Sequence, residues 1–187
     1  MSTLEKVLFT WSGGKDSALS LYEQRKSNDY EVAALLTSVT EDYDRISMHG
    51  VRRILLEQQA KSLGLPLEIL YITRNSSNVE YEAKMKDKLL QYKNQGISSV
   101  VFGDIFLEDI RKYREWMAFQ IGLKCIFPLW KRDTYELANT FINAGFKAVI
   151  TTLGFDTSTR PHALDNLPVC VPALQQSKGL LYSSPCR

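Results

Sequence analysis

Ser12-Gly13-Gly14-Lys15-Asp16-Ser17 is the densest run of chemistry-bearing residues in the chain. It lies where an apolar, strand-like run, Lys6 to Trp11, gives way to a helix-like one. Gly13 and Gly14 let the backbone come close to a ligand, and a helix starting near Ser17 turns unpaired N–H groups and its positive dipole end toward it. Lys15 adds a full positive charge, and Ser12 and Ser17 add hydroxyl donors. Such a set suits an anion with several oxygens, a phosphate chain above all. Two familiar phosphate motifs fail: a Walker A loop needs glycine where Phe9 stands and Ser or Thr where Asp16 stands. The dinucleotide pattern G-x-G-x-x-G is absent as well. Kinase, GTPase and nicotinamide chemistry therefore lose ground.

The other candidates follow strand-like runs, where the loops of an open α/β sheet converge on a crevice. His49 follows the second run and reads either as a nucleotide contact or proton carrier, or as a loop hydrogen-bonder. Arg52 and Arg53 begin a helix and either face phosphate or lie on a solvated face. Asp104, just after Gly103, follows the fourth run; it reads as a Mg²⁺ ligand or acceptor-orienting group, against a helix cap. Asp16 has the same pair of readings, metal ligand or cap. Arg111, Arg114 and Glu115 lie at i, i+3 and i+4, so they share a helix face and either stabilise charge on an α-phosphate or pair with one another. Trp11 and Trp130 border strand ends, where an aromatic stacks on adenine or belongs to the core. Cys125, Met48, Met85 and Met117 read as packing.

Elements that position these residues alternate along the chain. Strands are expected at Lys6–Trp11, Glu31–Val39, Leu67–Thr73, Ser99–Ile105, Lys124–Trp130 and Lys147–Thr152. The intervening helices carry apolar stripes, such as Leu56, Gln59, Ala60 and Leu63, or Tyr81, Met85, Leu89 and Tyr92. Ser77 with Glu80, and Asp133 with Glu136, are capping signals, and Gly64, Gly96 and Gly145 mark helix ends. Most strands are continuous apolar runs, as in a parallel sheet covered on both faces. The expected fold is an α/β open, doubly wound parallel sheet of about five or six strands with helices on both faces. After Thr152 the charges thin to Asp156, Asp165, Arg160, Lys178 and Arg187, and four of the six prolines gather there. Residues 1–152 thus read as one nucleotide-binding domain and 153–187 as an irregular extension.

With 23 basic and 21 acidic residues mixed along the chain, the net charge of +2 offers no footprint for nucleic acid or an anionic membrane. The three cysteines lack C-x-x-C spacing, which argues against a zinc ribbon, a redox pair or a disulfide framework. No apolar run approaches the ~20 residues of a bilayer span, and no signal-peptide pattern opens the chain. A soluble protein in the reducing cytoplasm is expected.

SGGKDS after a first strand resembles the PP-loop ATP pyrophosphatases. Arg45-Ile46-Ser47-Met48-His49-Gly50-Val51-Arg52, Phe102-Gly103-Asp104-Ile105, Asp109–Glu115 and Phe127-Pro128-Leu129-Trp130 extend the resemblance to the diphthine–ammonia ligase-like branch, over roughly residues 4 to 152. The resemblance implies an adenine nucleotide alpha-hydrolase-like fold. It implies ATP bound with Mg²⁺, attack on the α-phosphate, release of pyrophosphate and AMP, and amide formation from ammonia and an acceptor carboxylate or carbonyl. On that basis Ser12, Gly13, Gly14, Lys15, Asp16, Ser17, His49 and Gly103 are expected to bind nucleotide. Lys15, Asp104 and Arg114 are expected to be catalytic, and Asp16 and Asp104 to hold the metal. The branch's Gly-Glu-x-Gly-Glu-(aromatic)-x-Thr stretch is missing from the tail, where no Glu follows Glu136. A nucleotide-binding module without turnover is therefore the alternative, and tRNA modification by a PP-loop enzyme a further one. Beyond ATP and the acceptor, a homodimer is left open.

Overall fold

The computed structural model describes residues 4–47, 50–148, 175–176 and 179–180. Its centre is β1 (Glu5–Thr10), in which Val7, Leu8 and Phe9 are wholly buried, so both faces of the strand are covered. β1 leads through the glycine turn into α1 (Lys15–Ser27), then β2 (Tyr30–Thr40), a short 3-10 turn and β3 (Arg45–Ile46). There follow α2 (Arg53–Leu63), β4 (Leu67–Ile72), α3 (Asn78–Asn94), β5 (Ser99–Val101), α4 (Glu108–Gln120), β6 (Lys124–Ile126) and α5 (Thr134–Asn143).

Five strands are parallel. β1 pairs with β2 (Phe9↔Leu35) on one side and with β5 (Leu8↔Val100) on the other; β2 pairs onward with β4 (Leu36↔Glu68) and β5 with β6 (Val100↔Cys125). The parallel order is therefore β4-β2-β1-β5-β6. The chain winds outward from β1 to β2 and β4, then crosses back to β5, so the winding reverses between β1 and β5. Carboxyl ends of strands at such a reversal leave a crevice open above them. β2 outruns β1, and its last residues pair antiparallel with β3 (Val39↔Ile46), a small strand not foreseen from sequence because two residues carry no periodicity.

One face of the sheet packs Leu8, Leu36 and Val100 against Met85 and Leu89 of α3 and Met117 and Ala118 of α4. The other packs Val7, Phe9 and Leu35 against Ala18 and Leu21 of α1 and Leu56 and Ala60 of α2. Leu19, Leu129 and Leu137 bring α5 to this second side. The doubly wound α/β layer with helices on both faces is thus present.

Two expected strands are shorter than their apolar runs. β5 stops at Val101 and not at Ile105, and β6 stops at Ile126 and not at Trp130. Phe102 and Phe127 instead stack ring on ring at 5.4 Å, and Trp130 N–H and Arg132 N–H close turns onto Phe127 and Leu129 carbonyls. Apolarity in these segments serves loop packing. Lys147 and Ala148 belong to no strand, and the rest of the strand expected at Lys147–Thr152 lies outside the described residues. So does nearly all of the expected extension, apart from a two-residue antiparallel pair, β7 (Gln175–Gln176) and β8 (Gly179–Leu180). Among the described residues no helix is long and apolar enough to cross a membrane.

Candidate functional site

The glycine turn stands at the carboxyl end of β1, on one lip of the crevice. Gly13 has φ +69°, a left-handed conformation that other residues adopt at a cost. α1 begins at Lys15, two residues earlier than expected, with Gly14 as N-cap and no side chain capping it. The first N–H of the helix to find a carbonyl is Ala18's, bonded to Gly14 O at 3.0 Å. The N–H groups of Lys15, Asp16 and Ser17 therefore point out of the helix end unpaired. Asp16 is not a helix cap; it lies in the first turn, paired with Lys15 at 2.5 Å. The serines form a small ring: Ser12 Oγ lies 3.1 Å from Ser17 Oγ, Ser17 Oγ donates to Gly14 O, and Gly14 N–H donates to Ser12 Oγ at 3.3 Å. Ser77 and Asp133 cap α3 and α5 through the backbone N–H groups of Glu80 and Glu136, as their spacing predicts. α1, α2 and α4 carry no side-chain cap.

The opposite lip is the loop after β5. A Cβ on Gly103 would stand 3.3 Å from both Ser17 N and Ser17 Cα, so the two loops touch backbone to backbone. Asp104 is not a helix cap either, since α4 has Leu107 at that position. Its carboxylate holds Arg114: Nε lies 2.7 Å from Oδ2 as an ion pair off hydrogen-bond alignment, and Nη2 donates to Oδ1 at 3.3 Å. The Arg114 guanidinium also lies over the Phe102 ring at 4.6 Å. Arg114 is thereby set apart from its neighbours on α4. Arg111 and Glu115 pair with each other at 2.7 Å, and Arg111 covers the faces of Phe127 and Trp130 at 4.8 and 4.7 Å. That guanidinium occupies one face of Trp130, where adenine was a candidate. Trp11 is buried at 3% exposure and belongs to the core.

Arg53 is held by Asp44, with Nε 2.6 Å from Oδ1, and by Glu57, which keep its guanidinium strongly protonated; this is a surface ion-pair cluster. Arg52 precedes α2 on an exposed position. His49 and Met48 lie outside the described residues. Two site residues escaped sequence reasoning. Gln59 bonds both Trp11 and Gly13, and its signal was a polar side chain on an apolar helix stripe. Tyr81 on α3 comes near Arg114; burial raises its phenol's pKa, while the Arg114 charge opposes the shift.

Residues 5–125 match the model of the diphthamide synthase N-terminal domain. The chain belongs to that family. A curated relative, the diphthine–ammonia ligase of Saccharomyces cerevisiae, is 29% identical over an alignment covering 97% of this chain and 31% of that protein. The chain thus spans less than a third of that relative's length. A solved structure, the U34-tRNA thiolase NcsA of Methanococcus maripaludis with its [4Fe-4S] cluster, aligns with a TM-score of 0.47 at 14% identity, over 75% of this chain and 56% of that one.

Diphthamide synthase N-terminal membership bears out the resemblance read from SGGKDS and its companion segments. For Mg²⁺ the donor set is informative. Among the described residues no group of three or more His, Cys, Asp or Glu side chains gathers to hold a metal ion. Asp104, engaged by Arg114, is only 16% exposed, whereas Asp16, paired with Lys15, is 42% exposed beside the glycine turn. Of these two carboxylates, Asp16 is the one that could meet a Mg²⁺ ion arriving with a phosphate chain and keeping its waters.

Proposed function

We propose that this chain is an ATP-dependent, ligase-type enzyme that adenylates an acceptor carboxylate, releases pyrophosphate and AMP, and forms an amide with ammonia. The observation that carries the reading is the uncapped start of α1 beneath the glycine turn, met across the crevice by Gly103 and the Asp104–Arg114 pair. Family membership and the likeness to a diphthine–ammonia ligase support the same reading. Residues 1–152 then act as the nucleotide-binding unit.

In this mechanism the β- and γ-phosphates rest on Ser12–Ser17. An acceptor oxygen attacks the α-phosphorus, the bond to the β-phosphate oxygen breaks, and pyrophosphate leaves. Ammonia then adds to the activated carbonyl carbon, AMP departs with the bonding electrons, and the nitrogen gives a proton to water. Unpaired N–H groups at the start of α1, with Lys15, take up the charge of the leaving pyrophosphate. Arg114, aimed by Asp104, neutralises the α-phosphate as it is attacked. Mg²⁺, held by Asp16, would supply further charge neutralisation on the phosphate chain. The chain's own contribution is positioning and electrostatics, with no covalent intermediate on a side chain.

ATP labelled at the α-phosphate, incubated with ammonia and carboxylate acceptors, is expected to yield labelled AMP; labelled ADP without AMP overturns the reading. Lys15→Ala should weaken Mg·ATP binding by about 10- to 100-fold, the loss of a charge-assisted contact. Unchanged affinity in a titration overturns the phosphate cradle.

A further inference from the structure

Gln59 stands among Leu56, Ala60 and Leu63 on the inward stripe of α2, and its amide joins two parts of the glycine turn. Oε1 accepts the Trp11 indole N–H at 3.0 Å, and Nε2 donates to the Gly13 carbonyl at 3.2 Å. An indole is a donor only, so the amide has one orientation: oxygen toward Trp11, nitrogen toward Gly13. Trp11 is buried, which anchors this end of the contact in the core.

The consequence lies one bond further along. None of the described peptides is cis, so the Gly14 N–H points opposite to the Gly13 C=O. A grip on that carbonyl from the α2 side turns the Gly14 N–H away from α2 and toward the crevice. There it meets only Ser12 Oγ, at 3.3 Å, a long bond that a phosphate oxygen displaces. The fit is close: a Cβ on Gly13 would stand 2.6 Å from Gln59 Oε1 and 2.7 Å from Leu56 Cδ2.

We propose that Gln59 is a positioning residue, which touches no phosphate but aims the Gly14 N–H at the β,γ-phosphates by holding the preceding carbonyl. This rests on the reading of Ser12–Ser17 as a phosphate cradle. Gln59→Met keeps length and apolar bulk and removes the amide. Gln59→Glu keeps shape but sets a carboxylate against a carbonyl; on protonation its O–H restores the donor, and the half-buried setting beside a carbonyl oxygen raises the pH at which this happens.

Calorimetric titration of the full chain with inorganic pyrophosphate, and separately with AMP, tests the proposal. Gln59→Met is expected to bind pyrophosphate about tenfold more weakly while keeping its AMP affinity, which does not use the β,γ-phosphate donors. Gln59→Glu is expected to show a larger deficit at pH 8 that narrows toward wild type as the pH falls to 5, a recovery that lost packing would not produce. Wild-type pyrophosphate affinity in both variants, or a Gln59→Glu deficit independent of pH, overturns the proposal alone. A wild-type chain that binds neither pyrophosphate nor ATP overturns the cradle reading and this inference with it.

Discussion

Gly103→Ala probes the narrowest approach in the molecule. The new Cβ would lie 3.3 Å from Ser17 N and Cα and 3.4 Å from the Asp16 carbonyl carbon. Comfortable carbon contacts begin near 3.5 Å, so the two loops must part by a few tenths of an ångström. All three atoms are backbone, and no rotamer change relieves them. Overpacking of this kind costs about 1–3 kcal/mol. For a chain of 187 residues, each kcal/mol shifts the midpoint by about 2–4 °C, so Tm should fall by about 2–12 °C. The same displacement separates the two lips of the crevice, and hydrogen bonds near 3 Å lose strength quickly with length; Mg·ATP affinity should drop by about tenfold. Thermal unfolding followed by circular dichroism, with calorimetric titration of Mg·ATP, reads both effects. Gly14→Ala is the steric control, because its Cβ would meet only Ser12 Oγ at 3.4 Å and its Tm should scarcely move. A Gly103→Ala protein with unchanged Tm and unchanged affinity refutes the reasoning that this contact sets the crevice.

Ser20 is wholly buried in α1 and its Oγ has no partner, so Ser20→Ala should stabilise the fold by about 1 kcal/mol in urea denaturation; a loss of stability would refute the assignment of an idle hydroxyl. The hydroxyls of Ser98 and, next, Ser99 hold the Glu5 carboxyl below its usual value of 4.5. Its contribution to stability is therefore complete above about pH 4.5 and is lost as the pH falls through the depressed folded-state value. Glu5→Gln should flatten the acid limb of a stability–pH curve and leave the slope above pH 6 alone. Burial, with a smaller push from Glu115, raises the Cys125 thiol to about 11. Its peptide should therefore take up iodoacetamide at pH 8 at least about tenfold more slowly than an exposed thiol, measured by mass spectrometry.

Local signals survived into the structure best. Ser77 with Glu80 and Asp133 with Glu136 cap helices because a short side chain needs only the backbone N–H three residues ahead. Continuous apolar runs announced a covered parallel sheet for a similar reason: Val7, Leu8 and Phe9 have no face turned to water. The same run logic overextended β5 and β6: Phe102 N–H still bonds the Ile126 carbonyl, and beyond it Phe102 and Phe127 are apolar to stack on each other. Pairing was less legible. Arg111 and Arg114 share one helix face by spacing, and only the position of Asp104, on the loop before α4, separates an ion pair to that loop from one along the helix. Gln59 looked like part of a core stripe because its partners, Trp11 and Gly13, lie more than forty residues away.

The placement of β1 between β2 and β5 has a consequence for the chain while it is being made. Thr10 Oγ1 donates to the carbonyl of Val101, 91 residues later. At about 5–20 residues per second, a ribosome needs roughly 5–20 s to cover that distance. Throughout that interval the glycine turn exists with a single lip, and one edge of β1 presents unpaired N–H and C=O groups to whatever strand is near. A nascent chain is therefore open to mispairing at its first strand, and a product truncated before residue 99 would keep that edge for good. Both lips of the crevice are present only when the fourth parallel strand has emerged and docked.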